Sequence, residues 1–126
     1  MKKILLLFIC LHLYFVASAQ DGTDRTKLGV EYAKRELADA LKNNSQKQIL
    51  VEKVIKDKPT AISVAEEMLF SIYGKENIVR QRPYESHLID GYWVLNGTLP
   101  KDWVGGTFLI IINSTDGKVI KLTHGK

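Results

Sequence analysis

The sequence predicts an α+β fold in which N-terminal helices pack on a four-stranded antiparallel sheet. Three observations carry this. Apolar residues recur at three- and four-residue steps in the first half of the chain, β-branched residues in alternating patterns take over after Lys75, and two glycine-containing turns divide the second half into hairpins.

Residues 1–19 stand apart from that fold. Lys2 and Lys3 precede an apolar run from Ile4 to Val16, and Ala17-Ser18-Ala19 ends it with small residues at the positions a signal peptidase reads. Export with cleavage after Ala19 is therefore expected, to the periplasm or the exterior. The apolar run is too short for a membrane-spanning helix, which needs about 20 residues, and no later segment is long enough. Cys10 lies inside the run and not after a small residue at the cleavage point, so neither a lipid nor any other stable membrane anchor is expected.

Removing residues 1–19 from the 126 leaves 107, the size of one domain with a single core. The only cysteine leaves with the signal, so stability must come from packing without disulfides. The chain has 18 Lys and Arg against 14 Asp and Glu, and loss of Lys2 and Lys3 reduces the balance to 16 against 14. That small excess argues against nucleic acid as a partner. The expected organisation is a signal over 1–19, a helical region over 20–58, and a helix with two hairpins over 59–126.

The first helix is predicted from about Asp24 to Asn43, where Val30, Ala33, Leu37, Ala40 and Leu41 form an amphipathic stripe and Asn43-Asn44-Ser45 reads as a stop. Ile49 to Lys58 alternates too poorly to assign. A second helix is predicted from Thr60 to Tyr73, with Pro59 at its start, Ile62, Ala65, Met68, Leu69 and Ile72 on one face, and Gly74 as its C-terminal cap. Strands are expected at Tyr84–Ile89 and Tyr92–Leu99, joined by Asp90-Gly91, and at Thr107–Asn113 and Lys118–Thr123, joined through Ser114 to Gly117. In the third strand Phe108, Ile110 and Ile112 alternate with Leu109 and Ile111, so both of its faces are apolar and coverage on both is expected.

From Thr60 to Lys126 the segments TAISVAEEMLFSIYGKENI, RPYESHLIDGYWVLNGTLP, GGTFLIIIN and DGKVIKLTHGK resemble the bacterial immunity-protein family with a nuclear transport factor 2-like fold. The shared pattern is a helix ending Ile-Tyr-Gly, an Arg-Pro-Tyr strand start, a tryptophan before Gly-Thr-Leu-Pro, a Gly-Gly pair and a closing Asp-Gly-Lys strand. This resemblance implies a strongly curved, helix-backed sheet forming a cystatin-like cone. It also implies a non-catalytic protein of a polymorphic toxin system that binds and neutralises a protein toxin. Residues 20–58 carry no such match, and their role stays open.

Two other function classes bear on the same residues. The ending Asp-Gly-Lys-Val-Ile-Lys-Leu is similar to the last hairpin of peptidase-inhibitory periplasmic modules. Cone-shaped isomerases and dehydratases pair a carboxylate or histidine with a tyrosine in an apolar cavity, and His87, Asp90, Asp102, Tyr84 and Tyr92 are the parts available here. Asp90 is already explained by its turn. His87 and His124 have no metal-ligand spacing and read as solvent-facing strand residues; Ser63 with Glu66 fits local capping or an exposed face, and Glu66 with Glu67 reads as a solvated helix face. No catalytic group, metal or cofactor is expected.

For partner binding the candidates are Arg82, Tyr84, Trp93 and Trp103. Arg82 could clamp a carboxylate of the toxin or pin its strand to a helix end. Trp93 alternates in phase with Leu95 and Leu99, which also suits a core side chain, whereas Trp103 lies in a loop and could anchor a partner. Gly74, Gly91, Gly97, Gly105, Gly106 and Gly117 are read as fold markers. Gly105 and Gly106 lead into a strand and not a helix, which argues against a phosphate loop and for a joint that bends the third strand.

Overall fold

The computed structural model describes residues 26–44 and 48–126. The signal read over 1–19, the expected helix start at Asp24, and Ser45 to Lys47 lie outside the described residues. The chain divides into two compact units between Asn43 and Asn44. The first unit holds α1 (Gly29–Lys42), whose last turn is closed by the Asn43 N–H donating to the Asp39 carbonyl at 3.0 Å. Thr26, Lys27 and Leu28, expected inside this helix, precede it.

The second unit contains α2 (Lys58–Tyr73), α3 (Lys75–Val79) and four strands, β1 (Glu85–Ile89), β2 (Tyr92–Asn96), β3 (Phe108–Asn113) and β4 (Val119–His124). The cap of α2 is Asp57, whose carboxylate accepts from the Thr60 N–H at 2.9 Å and so satisfies a backbone donor that the first turn leaves free. That bond holds the Asp57 carboxyl below its ordinary range. Of the two readings of Ser63, local capping or an exposed face, the structure takes the exposed face. α3 follows directly on Gly74 and is five residues long, too short to produce a periodic pattern, and it buries Ile78.

The strands form one antiparallel sheet in sequence order. Asp90 and Gly91 both take positive φ, +48° and +81°, and the tight turn they make sets Ile89 opposite Tyr92. The register then places Leu88, Trp93, Ile112 and Leu95, Ile110, Leu122 in cross-strand rows on one face. α2 covers that face with Ala61, Ala65 and Leu69, and Ile55, Ile78 and Phe108 complete the core. Ser114 ties the hairpins to the chain before α2: its carbonyl accepts from Val54 and Ile55, and its N–H and hydroxyl donate to the Gly91 carbonyl. The opposite face presents Val94, Leu109 and Ile111, which are half-buried and not fully covered as expected for both sides of β3.

β3 begins at Phe108, so Gly105 and Gly106 precede it and do not bend it. The irregularity in the sheet lies between Ile111 and Ile112, where the β3–β4 register shifts. Gly106 has a different use. A Cβ there would overlap the Gly125 backbone, so the two chain segments touch main chain to main chain, whereas a Cβ on Gly105 would meet Leu99 at an ordinary 3.6 Å.

The adjacent glycines should therefore respond differently to alanine. Gly106→Ala is expected to destabilise the protein by about 1–3 kcal/mol, the usual range for overpacking, and Gly105→Ala to stay within about 0.5 kcal/mol, both read by urea denaturation.

Candidate functional site

The segment Asn77–Tyr84, which leaves α3 and enters β1, is held by the buried side chain of Gln81. Its Oε1 accepts from the Phe108 N–H at 2.9 Å, while its Nε2 donates to the Asn77 carbonyl at 2.9 Å and lies 3.0 Å from Nε2 of His124. Because the Phe108 donor sets the amide orientation, Nε2 is a donor and the facing His124 nitrogen must accept. His124 then carries its proton on Nδ1, which donates to the Gly125 carbonyl at 2.6 Å. The Gln81 carbonyl in turn accepts from the Thr98 N–H at 2.9 Å, and the Thr98 hydroxyl donates to the Pro83 carbonyl at 2.7 Å. One residue thus joins α3, the start of β3, the end of β4 and the chain beyond β2. His124, expected to face solvent, is half-buried with its ring centroid 4.9 Å from that of Tyr73.

On one side of this segment lies a pocket of about 510 Å³ lined by Lys58, Ile62, Glu66, Arg82, Pro83 and Tyr84. Glu66 organises it. Its Oε1 accepts from Arg82 Nε at 2.9 Å, from Arg82 Nη2 and from the Tyr84 hydroxyl at 2.7 Å. The Glu66 side chain is 14% exposed and that of Arg82 51%, so the pair joins a shielded carboxylate to a solvent-accessible cation. This corrects the reading of Glu66 as part of a solvated face. A signal for it was present, since Glu66 stands four residues after Ile62 and three before Leu69 on the apolar stripe of α2. Tyr84 packs edge-on against Phe108, with centroids 5.0 Å apart, and its burial, assisted by the Glu66 hydrogen bond, pushes its phenol up to about 12. Arg82 thus both pins β1 to α2 and keeps donors exposed.

On the other side, Asn77, Arg80, Leu99, Trp103, Val104, Gly106, His124 and Lys126 line a smaller, more polar depression of about 400 Å³. Trp103 is 61% exposed in the loop between β2 and β3, and Val104 beside it is fully exposed. The turn that presents them is closed by the Trp103 N–H donating to the Pro100 carbonyl at 2.9 Å. The indole meets solvent next to Arg80 and Lys126.

The remaining candidates fall elsewhere. Of the two readings of Trp93 the structure takes the core one: the residue is 6% exposed, and its indole N–H donates to the Ile55 carbonyl at 3.1 Å. His87, Asp90, Tyr92 and Asp102 do not line either pocket, and only Tyr84 of the proposed acid–base set does. Among the described residues no group of three or more His, Cys, Asp or Glu could hold a metal ion.

Residues 60–126 match the model of a family described as NTF2 fold immunity protein. Among curated proteins the chain is similar to the uncharacterized protein YhhH of Escherichia coli (strain K12), 33% identical over 86 residues that make up 68% of each chain. It is also similar to the uncharacterized protein YbbC of the same organism, 32% identical over 77 residues covering 60% of this chain and 63% of YbbC, under two thirds of that protein. No solved structure matches.

Two measurements check the site. In the folded protein Tyr84 should stay protonated until about pH 12, followed by ultraviolet difference absorbance, whereas the unfolded chain ionises it near 10. A raised tyrosine value means that the stability Tyr84 contributes is full below pH 10 and is lost as pH climbs from 10 towards 12. Replacing Gln81 with Leu strands the Phe108 N–H, the Asn77 carbonyl and His124 Nε2, and should cost at least about 2 kcal/mol in urea denaturation.

Proposed function

The chain belongs to the NTF2-fold immunity-protein family, and from that premise we propose that it is an exported, non-catalytic protein that binds a toxin and neutralises it outside the cytoplasm. Export rests on Lys2-Lys3, the apolar run to Val16 and the Ala17-Ser18-Ala19 cleavage pattern. A partner met after export would act in the periplasm or beyond, on cell wall or membrane. The observation that carries the binding role is Trp103: a large aromatic left exposed beside exposed Val104, on a loop tied to the rigid end of the sheet, is the side chain best suited to anchor a protein partner. Catalysis fits the geometry less well. Glu66, the carboxylate hydrogen-bonded to Tyr84, already accepts three hydrogen bonds on a single oxygen from Arg82 and Tyr84, which gives it a structural role.

The test pairs the processed chain with the toxin encoded beside it. Co-expression should restore growth, and the purified proteins should form a complex. Trp103→Ala should raise Kd by a factor of about 10 to 100, as expected for an aromatic anchor, and leave the melting temperature unchanged because the bond that shapes the loop is made by the backbone N–H. Unaltered affinity would remove Trp103 from the interface. Absence of any complex with the wild-type chain would overturn the immunity reading.

A further inference from the structure

The Lys58–Arg82 pocket has a chemical preference of its own. Its wall is apolar, formed by Ile62, Pro83 and the ring of Tyr84, and its charged members are two cations and one carboxylate. One oxygen of that carboxylate is committed: Glu66 Oε1 holds both Arg82 and Tyr84. Glu66 grips the guanidinium along its Nε–Nη2 edge, so by covalent geometry Nη1 and the outer proton of Nη2 lie on the edge that Glu66 does not take. That edge is the one that takes a carboxylate in two parallel hydrogen bonds. Lys58, in the first turn of α2, adds a second positive charge at the helix end that itself favours anions, and it makes no hydrogen bond or ion pair among the described residues. Asp57 next to it is committed to the Thr60 N–H.

We propose that this pocket receives an acidic residue of the protein partner, its carboxylate on the free edge of Arg82 and its apolar stem against Ile62, Pro83 and Tyr84. The assignment rests on the toxin-binding reading and adds to it a second contact, chemically distinct from Trp103. Glu66 acts as a positioning residue that locks the guanidinium before the partner arrives, so that little side-chain freedom remains to be lost on binding.

The probes are N-acetyl-phenylalanine and its neutral amide, titrated into the processed protein and followed by NMR at the Arg82 Nε–H and the Ile62 methyls. The acid should give saturable shifts at both positions and bind at least tenfold more tightly than the amide. Arg82→Gln should abolish that preference. Lys58→Gln, which breaks no hydrogen bond within the described residues, should reduce it several-fold and keeps the test decisive if the Arg82 variant does not fold. Equal binding of acid and amide, no saturable shift, or a preference that survives both substitutions would overturn the proposal. The acid should also compete with the toxin, and tight acid binding without competition would refute the partner assignment. Because the probes contain no toxin, a failure in the titration leaves toxin binding standing, and a failure of toxin binding leaves the titration unchanged.

Discussion

A buried amide has to satisfy its hydrogen bonds inside the protein or carry the cost of desolvation, and in this fold the amide of Gln81 does so by joining its own segment at Asn77 to two distant strands at once. Phe108 begins β3, Asn77 lies in α3, and His124 ends β4, so the end of the sheet closes only when all three are in position. The surrounding chain is shaped to this requirement. A Cβ on Gly97 would overlap the Gln81 side chain, and the Gly106–Gly125 contact lets the chain ahead of β3 lie directly on the end of β4. Each is a site where a side chain has been given up so that backbone can come close.

The two candidate binding surfaces inherit their order from this closure. Arg82 and Tyr84 follow Gln81 immediately in the chain and are fastened to α2 through Glu66, while the Trp103 loop runs between Thr98, bonded to the Gln81 carbonyl, and Phe108, bonded to the Gln81 side chain. A loop anchored at both ends can present an exposed indole without much freedom to lose on binding. What is exposed there is an indole on one side and, on the other, a guanidinium whose Nε–Nη2 edge is held by Glu66. Membership of the NTF2-fold immunity-protein family implies a protein toxin as the general class of partner.

Much of the frame was legible in the sequence because it depends on local chemistry. The Asp90-Gly91 turn needs two positive φ values, Gly74 ends α2, and the alternation of Phe108, Ile110 and Ile112 sets the buried face of β3. What escaped depends on partners far along the chain. Nothing local distinguishes Gln81 from a solvated glutamine, because two of its three side-chain partners, the Phe108 N–H and His124, lie 27 and 43 residues away, and His124 reads as exposed until its contact with Gln81 is known. Glu66 escaped for the opposite reason: its place on the apolar stripe was visible, but its charge suggested solvent until Arg82 and Tyr84 supplied the donors that make partial burial tolerable. Trp93 and Trp103 show the same limit, since type and spacing suited both for core or partner, and only the carbonyl of Ile55 above one and open solvent around the other tell them apart.

The claim that binding occurs at the end of the sheet closed by Gln81 is tested most directly by backbone hydrogen exchange of the chain with and without its toxin. Slowed exchange concentrated in residues 80–84 and 99–106 is the predicted footprint. Protection centred on the open sheet face, at Tyr92, Val94, Leu109 and Ile111, with none in the Trp103 loop, would contradict it.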